Sequence, residues 1–132
     1  MLVSATVRNS PQRHEVEVCS GVFVQRLDVP LQSTGRGSGV NGGEFLMLAL
    51  ATCYCNDLYR EADRLEIPID SVEVEASAQF SGIGLAATNI KYRARVVSTA
   101  PAPEIAELIR QTDSVAEIHN TVRSGVPVEL VD

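Results

Sequence analysis

Along much of this chain apolar and polar residues take turns at every second position, as strands do with one face buried and one wet. Residues 1–7 and 14–19 (His-Glu-Val-Glu-Val-Cys) alternate in this way. The turn-forming Asn9-Ser10-Pro11-Gln12 between them predicts a first hairpin. Residues 22–29 predict a third strand. After Pro68 the alternation returns over 71–80 and again over 89–97, and the 81–88 loop with its two glycines joins these into a long hairpin.

Between the two sets of strands the period changes. Residues 30–39, with Ser33, Gly35, Gly37, Ser38 and Gly39, read as a flexible loop feeding a long helix. Asn41 suits the N-cap of that helix, and Glu44 falls in its first turn, where a carboxylate complements the helix dipole. From Phe45 to Cys55 the segment is apolar on every side, which predicts burial all round. From Asn56 it becomes amphipathic, with Leu58, Ala62 and Leu65 on one stripe. Pro68 stops it near Glu66, since the residue before a proline avoids helical angles. Such a helix spans roughly 34 Å at about 1.5 Å per residue. Residues 103–111, opened by Pro103, predict a second helix, and 114–123, closed by Gly125, a third. Residues 126–131 predict a last strand, at an edge because of Pro127. The order βββ-α-ββ-αα-β defines an α+β fold class, with helices on one face of largely antiparallel sheet. Its length of 132 residues predicts a single domain, 1–132.

Composition trims the possibilities. A net charge of −6 argues against a nucleic-acid or anionic-membrane surface. The longest apolar run is too short for a bilayer, which needs about 20 residues. Residues 1–20 lack a basic start followed by an apolar block, so no secretory signal is expected. Three cysteines (Cys19, Cys53 and Cys55) have no framework spacing and fit free thiols in a reducing cytoplasm. Cys53 and Cys55 lie about 200° apart around the helix, too divergent to bond each other or share a metal. No metal or cofactor is expected. Asp57 and Arg60 lie one and two turns beyond Cys53 on its face, where a solvated or interface ion pair is the simplest role.

Three stretches resemble the OsmC/Ohr family. Gly39-Val40-Asn41-Gly42-Gly43-Glu44-Phe45-Leu46, continued by Leu50-Ala51-Thr52-Cys53, is similar to its turn Gly-x-Asn/Ser-Pro-x-Glu-Leu-Leu and the Ala/Leu-rich helix that reaches a cysteine. Ile67-Pro68-Ile69-Asp70-Ser71-Val72-Glu73-Val74 resembles the entry to the second half of its sheet. Ile118-His119-Asn120-Thr121-Val122-Arg123-Ser124-Gly125-Val126-Pro127-Val128 resembles the tail of its second signature, Cys-Pro-x-His/Ser-Asn-Thr-Leu-x-x-Gly-x-Pro-Val. The likeness covers essentially the whole chain, in order.

The resemblance implies an intertwined homodimer with two long central helices between sheets and reactive sites at the interface. It also implies thiol-dependent reduction of organic hydroperoxides. Cys53 matches the attacking cysteine, Glu44 a glutamate that many members carry, and Arg13, with Arg8 as second candidate, the arginine of the amino-terminal hairpin. Such an arginine would lower the thiol's pKa and polarise the peroxide. Three positions depart from the pattern. Ala116 stands where the second cysteine belongs and Glu117 where its proline follows, while Gly43 holds the place of the peroxidase branch's glutamate. The implied reactions are therefore peroxide reduction by Cys53 alone, with an external thiol as reductant, or binding of a small molecule in an interface pocket without catalysis. His119 could help hold a thiolate, or hydrogen-bond within its own helix.

Overall fold

A computed structural model describes residues 1–131. Its elements run in the order β1 (Val3–Ser10), β2 (Arg13–Ser20), β3 (Phe23–Leu27), α1 (Gly42–Arg64), β4 (Ser71–Gln79), β5 (Thr88–Val97), α2 (Ala102–Val115) and α3 (Glu117–Ser124). They group into two compact units, Met1–Phe45 and the chain from Leu46 onward. The architecture is mixed α+β with antiparallel pairing throughout.

The first unit is a three-stranded meander in the order β1-β2-β3. Val7 faces Val16 and Cys19 faces Val24 across its ladders. Val16 is its one buried apolar residue among those described. The loop that follows is folded rather than free. Leu31 bridges Ser38, and the Gly39 N–H donates to the Pro30 carbonyl at 2.7 Å. A Cβ at Gly39 would stand 3.0 Å from both the Pro30 ring and its carbonyl oxygen, so a side chain here would press the loop apart by a few tenths of an ångström. Helix α1 then starts on a reciprocal cap. The Asn41 N–H donates to Glu44 Oε1 at 3.0 Å, and the Glu44 N–H donates to Asn41 Oδ1 at 2.8 Å. This is the capping-box arrangement, and it satisfies two backbone donors that helix geometry leaves open.

The second unit holds the core. Tyr54, Leu58 and Ala62 of α1 pack with Leu108 and Ala116, and Val72, Val74, Tyr92, Ala94 and Val96 close over them from the β4–β5 hairpin. The hairpin alternates as its sequence predicts, with the other face carrying Glu73 opposite Arg95 and Glu75 opposite Arg93. Its register slips by a bulge between Ser77 and Gln79. Helix α1 ends with Glu66 at φ 57°, the Glu66 N–H donating to Asp63 O at 3.2 Å and the Ile67 N–H to Ala62 O at 2.9 Å. That pair of bonds is a Schellman stop. Among the described residues no helix is long and apolar enough to cross a membrane.

Three expectations change. Residues 126–131 form no strand: they pair with nothing among the described residues, and Val128 and Leu130 are fully exposed. The second and third helices divide at Ala116 rather than before Ser114, because Ala116 is extended (φ −76°, ψ 105°) and buried in the core. The apolar half of α1 is not enclosed on all sides: Leu50 and Tyr54 are buried, Leu48 is more than half exposed, and the remaining apolar residues of that stretch are intermediate. One chain supplies cover for one stripe of that helix.

Candidate functional site

Three residues of the second unit gather around Cys53. Asp57 lies one turn further along α1, on the same face, and the Cys53 Sγ–H donates to its Oδ2 at 3.4 Å. Glu117 reaches in from the first turn of α3, with Oε2 4.0 Å from Sγ. Arg60 ties the carboxylates together: its guanidinium is 3.0 Å from Asp57 Oδ1, 3.5 Å from Glu61 Oε2 and 3.6 Å from Glu117 Oε1. Asp57 is 5% exposed, whereas the Glu117 side chain stands largely in solvent. Arg60 therefore anchors one oxygen of Asp57 and leaves the other to the sulfur.

These surroundings hold Cys53 as a thiol. Burial pushes its pKa up; the Ile118 backbone N–H works the other way, and the charges of Asp57 and Glu117 and the bond to Asp57 add to the rise. Within the second unit the charges nearest the sulfur are carboxylates, and both raise its pKa. Burial likewise raises the Asp57 pKa, against the opposing pull of the Cys53 bond and Arg60. Cys53 Sγ, an Asp57 oxygen and a Glu117 oxygen lie within 4.8 Å of one another, close enough to share a cation. Arg60 already supplies positive charge at that point.

The other candidates are placed as follows. Arg13, on β2, is mostly exposed and ion-pairs with Glu15 of the same strand. Arg8 lies opposite Glu15 in the β1–β2 register. Glu44 is committed to the cap of α1. Cys19 and Cys55 are half-buried free thiols. His119 is 3% exposed, and both its ring nitrogens lack a hydrogen-bond partner among the described residues. Its ring lies 4.4 Å from that of Tyr92 and 5.7 Å from that of Tyr54, so it packs rather than bonds. Glu117 is the site residue that sequence reasoning missed. Its separation of 64 positions from Cys53 gives no periodic signal. Asp57 was visible in the i, i+4 spacing, but its burial was not.

The chain is thus an antiparallel α+β protein with a cysteine midway along its long helix, flanked by carboxylates and one arginine. The chain belongs to the OsmC-like family: the family model described as "OsmC-like protein" matches residues 35–131. A sequence comparison with curated proteins finds no match. Among solved structures, an OsmC-like protein from Mycoplasma pneumoniae is similar at 19% identity and a TM-score of 0.72, over 95% of this chain and 89% of that one. An organic hydroperoxide resistance protein OsmC from Legionella pneumophila superposes with a TM-score of 0.62 at 16% identity, covering 98% and 95%. The organic hydroperoxide resistance protein OhrB of Bacillus subtilis gives 0.56 at 20% identity, covering 98% and 96%. At these identities the structural likeness shows the fold.

Proposed function

We propose that the protein reduces organic hydroperoxides with Cys53 as its sole reacting thiol and an external thiol as reductant. The observation that carries this reading is the setting of Cys53. The residue is half-buried on the long helix and its sulfur is bonded into a polar network, where a structural cysteine would sit among apolar side chains. The Legionella and Bacillus proteins, both organic hydroperoxide resistance proteins, lend support at the level of the fold. Peroxide would convert Cys53 to a sulfenic acid, and a small thiol, available in a reducing cytoplasm, would return it to the thiol through a mixed disulfide. Ala116 offers no sulfur for an internal disulfide. Arg13 and Glu44 stay candidates for assisting Cys53, as the resemblance implies, and a homodimer is the proposed assembly.

The test is consumption of cumene hydroperoxide with a dithiol present, comparing the wild type with Cys53→Ser. Loss of turnover in the variant is expected. Equal turnover in both ends the reading. The carboxylates beside Cys53 favour a second one, in which an unreactive thiol lines a small-molecule site. Cys53 that alkylates only after denaturation, with no peroxide turnover, would support it.

A further inference from the structure

We propose that Asp57 is the proton carrier of peroxide reduction at Cys53: its carboxylate takes the Sγ proton as sulfur attacks and delivers it to the leaving oxygen. The inference rests on the peroxidase reading above and assigns the acid–base residue of that site.

The reaction demands such a group. Cys53–SH and R–O–O–H become Cys53–S–OH and R–OH. An S–O bond forms and the O–O bond breaks; the sulfur is oxidised, and the peroxide oxygens are reduced. The departing RO⁻ is a strong base and needs a proton, and the thiol holds one that must leave. A single carboxylate in contact with the sulfur can move that proton from one to the other.

Asp57 has the geometry. Its Oδ2 already accepts the Sγ proton at 3.4 Å. Its Oδ1 is held by Arg60 at 3.0 Å, so the carboxylate cannot swing away. The residue is nearly excluded from water, which keeps bulk solvent from competing for the proton. Arg60 cannot serve instead, because a guanidinium does not give up its proton in a protein. Its place between Asp57 and Glu117 suits charge stabilisation as the alkoxide departs. Glu117 is further from the sulfur, at 4.0 Å, and solvated.

Two electrophiles separate this role from a structural one. Iodoacetamide expels iodide, which needs no proton, whereas a hydroperoxide expels alkoxide, which does. Removing the carboxylate by Asp57→Asn frees the thiolate, so alkylation of Cys53 near neutral pH should speed up several-fold. Single-turnover reaction with cumene hydroperoxide should slow on the order of 100-fold, the usual worth of general acid–base help. Opposite movement of the two rates is the expected result. If both rise, Asp57 merely suppresses the thiolate and the proposal is overturned. It is equally overturned if Asp57→Asn keeps the wild-type peroxide rate while Glu117→Gln loses it. A measurement on the wild type avoids any folding defect in the variants. Below the titration of Cys53, alkylation should fall tenfold per pH unit while peroxide reduction stays level until Asp57 protonates; parallel profiles overturn the assignment. Peroxide turnover that does not depend on Cys53 at all sinks the parent reading instead, so the two failures are distinguishable.

Discussion

At the scale of single residues, charge around the sulfur decides reactivity. Because Glu117 raises the Cys53 pKa, Glu117→Gln should lower the inflection of alkylation rate against pH. Glu117 is well solvated, so the movement should be smaller than that given by Asp57→Asn. The wild-type inflection should lie above the ordinary cysteine value of about 8.5. An inflection below that value would contradict the network described for Cys53. His119 makes a second prediction. Burial, then the positive charge of Arg123, lowers its pKa against the opposing pull of Asp113 and Asp57. A folded-state value below the unfolded one of about 6.5 means that its contribution is intact above that pH. Below it, stability drains as the pH falls toward the depressed folded value, at up to about 1.4 kcal/mol per pH unit. His119→Phe keeps a ring against Tyr92 and Tyr54 and should flatten this acid limb. Urea midpoints between pH 7 and pH 5 that decline equally in both proteins would refute the assignment.

At the scale of elements, the start of α1 separates folding from chemistry. Asn41→Ala removes one arm of the capping box and should cost about 1 kcal/mol, read as a lower urea midpoint. Glu44→Gln keeps an acceptor for the Asn41 N–H and should leave that midpoint nearly unchanged. A fall in peroxide turnover in Glu44→Gln, without loss of stability, would then mark a chemical role for this carboxylate. The same helix shows what the sequence made legible. Strict alternation over 71–80 and 89–97 located the second hairpin, since one face meets the core and the other water. Asn41, Glu44 and Pro68 bracketed α1 to within two residues. The break at Ala116 left no local mark: alanine is the best helix former, and tertiary packing extends it all the same. Residues 126–131 carry strand-like residues, yet a strand needs a neighbour, and none lies beside them among the described residues. In the site, Cys53 and Asp57 share one helix face and are readable from spacing. Glu117 comes from another helix, and only the fold brings it there.

At the scale of the whole molecule, large apolar side chains stand in water on several elements. Val3 and Val7 of β1, Phe23 of β3, Leu48 of α1 and Leu130 are all substantially exposed. Such a surface predicts a homodimer burying well over the roughly 1,600 Å² of a standard interface. Sedimentation at micromolar concentration should give twice the mass of the chain. A stable, folded monomer would count against the dimer and against any site that depends on it. The packed rings of the core have a further, optical consequence. The chain has no tryptophan and three tyrosines, so tyrosine dominates its near-ultraviolet absorption. Tyr54 and Tyr92 stand edge to face with centroids 4.7 Å apart, while Tyr59 lies toward the surface. Two of the three chromophores are thus fixed in one asymmetric pair, pressed against an imidazole. Their circular dichroism reports on the packing of this core, and assays built on tryptophan emission are blind to it.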